Sequence, residues 1–142
     1  MRIDSYHGPV NEAFAAEVAT LVKSSSPGAA ALDIARTLNN TLVACMWYEN
    51  GVRRLEAIGT ALCVHTLTGE KHCRINELHV SASVTAAHMR ELVQFLINQS
   101  IRWGAVQIMV DVHMAEVGVD RVSLQKLCSI SLEQHQAFTA TL

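Results

Sequence analysis

The chain has 142 residues, half of them apolar and only 17% charged, so it is long and apolar enough to bury one sizeable core and is not a disordered segment. Eleven Lys and Arg stand against thirteen Asp and Glu, a net charge of −2, which lacks the basic footprint of a general nucleic-acid binder. The opening MRIDSYHGPV has no apolar leader core and no apolar run reaches membrane-spanning length, so a soluble, cytoplasmic protein without a membrane partner is expected.

Taken in chain order, Phe14, Val18, Leu21 and Val22 fall at i, i+4, i+7 and i+8, the stripe of an amphipathic helix that Asn11 can cap. The short polar stretch KSSSPG at 23–28 leads to a second helix carried by Leu32, Ala35 and Leu38. LVACMWY at 42–48 is a β-rich run. Asn50-Gly51 then signals a hairpin, and residues 55–65 supply the partner strand. After the polar turn 66–72, residues 73–80 form a third long strand. Met89, Leu92, Val93, Leu96 and Ile97 mark the clearest helix, with Ser83 or Thr85 as its N-cap and Gly104 at its C′ position. Alternation at Val106, Ile108, Val110 and Val112 predicts a strand over 106–112. A shorter helix is expected around 120–129 on Val122, Leu124 and Leu127, and HQAFTATL reads as a closing strand.

The order (β)ααβββαβαβ puts a hairpin before a strand–helix–strand unit. It predicts an α/β (α+β) fold, a single domain over 1–142 with a mixed, mostly antiparallel central sheet flanked by helices. The four cysteines, Cys45, Cys63, Cys73 and Cys128, show no CxxC spacing, and reduced core thiols in a reducing compartment are expected. The histidines are dispersed, without HExxH or a His-x-His pair, so no metal site is expected.

This order, with AIGTALCVH and INELHV as third and fourth strands and HMRELVQFLINQSIRWGAVQIMVDV as helix and fifth strand, resembles the GNAT superfamily of acyl-CoA-dependent N-acetyltransferases over nearly the whole chain. The resemblance implies a cleft between the fourth and fifth strands for the pantetheine arm of acetyl-CoA. It implies a pyrophosphate on the backbone N–H groups that open the following helix. Leu78 and Val80 on the strand and Ala86, Ala87, His88, Met89 and Arg90 at the helix start would then be the cofactor-binding residues. The family's Gln/Arg-x-x-Gly-x-Gly/Ala signature is degenerate here. Counted back from Gly104 it falls on residues 84–89, with Val84 in place of Gln/Arg and Ala87 and Met89 in place of glycine. A shift by one gives Thr85, His88 and Arg90. Leu124 stands near the position of the family's tyrosine acid, so an enzyme would need another acid or solvent.

Acetyl transfer needs a base for the amine. Glu77 and His79 share a strand face, and Glu77 lies on the strand where several GNAT enzymes carry a glutamate base. Burial would raise its pKa towards that task; the plain alternative is a partly exposed glutamate in a cross-strand contact. His113, at the end of the 106–112 strand, would adjoin the same cleft as base, substrate contact or half-buried histidine. His88 and Arg90 either edge a phosphate or are solvated.

Three functions fit these residues. One is an acyl-CoA-dependent N-acetyltransferase acting on an amine of a small molecule or protein. Another is a catalytically inactive GNAT-like domain with a binding, assembly or structural role. It would expose apolar surface at Met46, Phe95 or Ile101 for a homo-oligomer or another partner. The third is a module that binds CoA without transfer.

Overall fold

The computed structural model of the chain describes residues 2–5, 12–25, 41–50, 52–111 and 121–140. Five strands, β1 (Arg2–Ser5), β2 (Thr41–Asn50), β3 (Val52–His65), β4 (Lys71–Val80) and β5 (Gln107–Val110), lie in the sheet in the order of the chain. The first four pair antiparallel and β5 joins β4 parallel. That parallel step needs a crossover, supplied by the helix α2 (Ala86–Trp103). A helix α1 (Glu12–Ser25) lies between β1 and β2 in the chain, and α3 (Arg121–Ala140) follows β5. This is the mixed, mostly antiparallel sheet flanked by helices that the hydrophobic pattern predicts. Among the described residues no helix is long and apolar enough to cross a membrane.

The two sheet faces carry two cores. On one, Phe14, Val18 and Leu21 of α1 bury against Val43, Cys45, Trp47, Leu55 and Ile58. On the other, Met89, Leu92, Val93, Leu96 and Ile97 of α2 pack over Ala44, Met46, Ala57, Ala61, Cys73, Ile75 and Ile108, with Leu124 and Cys128 of α3 closing the side. Period-two alternation along β2 sends 43, 45 and 47 to one cluster and 44 and 46 to the other. A Cβ at Gly59 would come within 2.8 Å of both Leu78 Cδ2 and Leu96 Cδ1, so glycine is what lets α2 sit this close to the sheet.

Two bulges interrupt the alternation. Between β2 and β3, Met46 pairs with Ala57 but Trp47 pairs with Leu55, which leaves Glu56 as an extra residue. Between β3 and β4, Ala61 pairs with Ile75 but Thr60 pairs with Glu77, which leaves Asn76 extra. Both extra residues are polar, and both find partners. Thr60 Oγ1 donates to Asn76 Oδ1 at 2.8 Å, and Glu56 accepts from Arg54, Ser81 and Ser83.

Several expectations need correction. Residues 135–140 of the expected closing strand are helical: α3 runs from Arg121 to Ala140. No Gly or Pro interrupts that stretch, so nothing stops the helix. At β5 it is the side chain of Gln125 that pairs with the strand. Its amide accepts from Val110 N at 3.0 Å and donates to Ile108 O at 2.9 Å, pairing the strand edge as a neighbouring backbone would. The fifth strand is shorter than 106–112, and Val106 is exposed. Met46 is fully buried beneath α2, and Phe95 and Ile101 are partly buried against the core, so these three do not make an exposed apolar surface. The second helix on Leu32, Ala35 and Leu38, the Asn11 cap, Gly51, Val112 and His113 lie outside the described residues. Asn50 pairs with Val52 and Glu49 with Arg53, so the β2–β3 hairpin falls where Asn50-Gly51 predicts one, but not in the Glu49–Val52 register of a two-residue turn.

Candidate active site

The pairing of β4 with β5 runs from His72–Gln107 to Ile75–Val110, with a last bond from Asp111 N to Ile75 O at 2.9 Å. The bulge at Asn76 follows at once, and from there to Val80 the strand has no β5 partner among the described residues. The bulge also resets the faces. Leu78 and Val80 turn towards α2 and pack against its core, while Glu77 and His79 project on the opposite, α1-facing side. His79 pairs across with Ile58, a member of the α1 core.

Glu77 and His79 meet on that side, with Nε2 of His79 3.5 Å from Oε1 of Glu77, at the limit of a hydrogen bond. The histidine side chain is 15% exposed and the glutamate side chain 46%. Glu77 is therefore not the buried carboxylate with a raised pKa. The hydrogen bond from His79 lowers its pKa, partial burial opposes this, and the charge of the imidazolium lowers it further. An ionised carboxylate beside an imidazole orients the ring and fixes its tautomer.

Beyond Val80 the chain turns through Ser81, Ala82 and Ser83 into α2. Glu56, the bulge residue of β3 and only 2% exposed, holds this turn. Ser83 Oγ donates to its Oε2 at 2.8 Å, Ser81 Oγ donates to the same oxygen, and Arg54 Nε donates to Oε1. Its backbone carbonyl accepts from Ser81 N at 2.8 Å. Burial pushes the carboxyl up, but donation from Ser81, Ser83 and Arg54, with the arginine charge, outweighs it and leaves the pKa lowered. Sequence reasoning missed Glu56. The available signal was a single carboxylate inside an otherwise apolar run, LEAIGTALCV, with a serine-rich turn elsewhere to receive it.

The helix start is a capping box. Thr85 Oγ1 accepts from His88 N at 3.2 Å, His88 Nδ1 lies 3.5 Å from Thr85 N, and Met89 N donates to Thr85 O at 3.0 Å. The N–H groups of Ala86 and Ala87 precede the first intrahelical bond, and both residues are exposed, as is Arg90. Met89 is 1% exposed and belongs to the core, as does Val84, so Met89 leaves the outer surface of the first turn open. A side chain in the core cannot stand where a phosphate needs close backbone approach. Neither signature register offers the family's small residues: one puts Val84 and Met89 in the core, and the other puts His88 and the exposed Arg90 at the glycine positions. On the α1 side of the turn an open groove is lined by Glu17, Thr20, Arg53, Arg54, Ser81 and Ser83. Leu124 is 1% exposed in the core beside α2, and no acidic hydrogen stands at its position.

The fold matches that of solved acetyltransferases. A protein from Agrobacterium tumefaciens str. C58 assigned as an acetyltransferase superposes with a TM-score of 0.66 at 16% identity, covering 91% of this chain and 92% of that one. The ribosomal-protein-alanine N-acetyltransferase of Brucella melitensis biovar Abortus 2308 gives 0.61 at 13% identity, over 80% and 81% of the two chains. A GNAT family acetyltransferase of Staphylococcus aureus subsp. aureus USA300_TCH1516 gives 0.56 at 14% identity, over 84% and 93%. No protein-family model and no curated protein matches the sequence. The chain has the GNAT N-acetyltransferase fold.

Proposed function

We propose that the protein is an acyl-CoA-dependent N-acetyltransferase that acts on an amine of a small molecule or a protein. The observation that carries this reading is the Glu77–His79 pair, held on the segment of β4 that the Asn76 bulge releases from β5. His79 is the base that takes the proton of the acceptor ammonium, and Glu77 orients it and balances the imidazolium charge. The acceptor approaches on the α1 side, where Glu77 and His79 project. The N–H groups of Ala86 and Ala87, with the Arg90 guanidinium, would hold the pyrophosphate of acetyl-CoA. Bound there, acetyl-CoA supplies an activated acyl group. Leu124 offers no acid for the leaving thiol, so the returning proton comes from the imidazolium or from water.

Incubating the protein with acetyl-CoA and a panel of amines, and following release of free thiol, tests this reading. His79→Ala is expected to lower kcat by about 10²–10⁴-fold, and Glu77→Gln by less, with the KM for acetyl-CoA little changed in both. Equal loss from a variant on the opposite sheet face would sink the assignment. One observation favours a second reading, a non-catalytic GNAT-like domain: the capping box already occupies the N–H of His88, and Met89 N is bonded to Thr85 O. No acetyl-CoA binding in calorimetry, together with no turnover of any amine, would select it.

A further inference from the structure

Cys63 and Cys73 stand ten positions apart with no motif between them, yet the register of β3 on β4 makes them direct partners. Their sulfurs lie 2.9 Å apart as free thiols. Directly opposed residues of an antiparallel pair have Cα atoms about 4.5–5.5 Å apart, inside the window of about 4.4–6.8 Å that a disulfide spans. The register and the sulfur contact therefore suit a bridge. The two sites differ in access: Cys73 is 2% exposed and belongs to the core, whereas Cys63 is half-buried at its edge. Cys45 and Cys128 are 1% and 0% exposed, each packed among apolar side chains.

We infer that Cys63 and Cys73 form a redox-responsive dithiol, which a low-molecular-weight disulfide converts to a cross-strand disulfide between β3 and β4. The thiolate of Cys63 attacks one sulfur of the small disulfide, and the other sulfur leaves as a thiolate. Cys73, losing its proton to solvent, then attacks Cys63 Sγ and displaces the second small thiolate. Two electrons pass from the cysteine pair to the reagent, which is reduced to two thiols. The first proton leaves this pair more readily than from an isolated buried thiol. Donation from Cys63 holds Cys73 below the usual thiol range against burial, helped by the Ser100 hydroxyl, while the same contact and burial push Cys63 up. A thiolate formed at Cys73 reaches the accessible Cys63 sulfur by transfer of one proton across the 2.9 Å contact. Cys45 and Cys128 are almost wholly buried, so neither meets the reagent as the half-buried Cys63 does.

The test treats the folded, reduced full chain with oxidised glutathione at neutral pH. Remaining thiols are counted after denaturation, and the bridged peptides are identified by mass spectrometry. Two of the four thiols are expected to disappear, with one bridge joining the peptides of Cys63 and Cys73 and no glutathione retained. Cys73→Ser is expected to trap one glutathione on Cys63, and Cys63→Ser to take up none. Should Cys73→Ser fail to fold, Cys73→Ala serves the same purpose, with circular dichroism confirming the native state. The inference is overturned if the wild type keeps four thiols, if a stable glutathione adduct accumulates on it, or if the bridge involves Cys45 or Cys128.

Discussion

Glu56 gathers donors from its own strand and from the turn that leads into α2, and the side chain that does so is almost wholly out of water. Removing a buried, fully bonded carboxylate strands its partners. Glu56→Ala is expected to cost about 2–4 kcal/mol and Glu56→Gln about half as much, since the amide keeps an acceptor oxygen. The sign of the pH dependence follows from the lowered pKa in the fold. Its stabilisation is complete above the unfolded value, about 4.3, and is lost as pH falls through the lower folded value. Urea denaturation of wild type and Glu56→Gln should therefore show a stability gap that is constant from neutral pH down to about pH 5 and closes below about pH 4. Glu77 titrates in the same direction, but its side chain is about half exposed, so solvent screening leaves it little share of that gap.

At the level of elements, α2 is the piece whose sequence says most. Its buried apolar residues Met89, Leu92, Val93, Leu96 and Ile97 are those picked out by spacing, Thr85 caps it, and Gly104 ends it at φ 106° with its N–H bonded to Ile101 O. A side chain is strained in that conformation, and a Cβ there would also sit 3.4 Å from Lys71 Cδ. Gly104→Ala is expected to cost about 1–2 kcal/mol, read as a lower urea midpoint with an unchanged slope. Elsewhere the sequence is less explicit, for identifiable reasons. The bulges at Glu56 and Asn76 each turn on one residue without glycine, and a register is decided by two strands together. The contact of Cys63 with Cys73 is invisible for the same reason. The end of α3 misleads because HQAFTATL alternates weakly, whereas its helicity depends on continuing from Arg121 without a breaker. Glu77 and His79 were readable as a pair sharing a face, but their exposure was not.

On the scale of the whole molecule, one sheet separates two cores, and the chain keeps to that division by counting residues in twos. The extra residue at Asn76 changes the count midway along β4. Before it Cys73 and Ile75 belong to the α2 core; after it Leu78 and Val80 do, and Glu77 and His79 are moved out to the other side. Deleting Asn76 would point Glu77 and His79 under α2 and Leu78 and Val80 away from it. Burying those polar groups without partners is expected to cost more than about 3 kcal/mol, seen as loss of a cooperative thermal transition. One residue inserted in the exposed turn between β3 and β4, where Leu67 is fully exposed, should cost under about 1 kcal/mol. A common transition for both variants would refute the parity account. Length is thus constrained unequally along this chain: a residue added to the β3–β4 turn leaves both sides of the sheet as they are, whereas one lost at position 76 exchanges their chemistry.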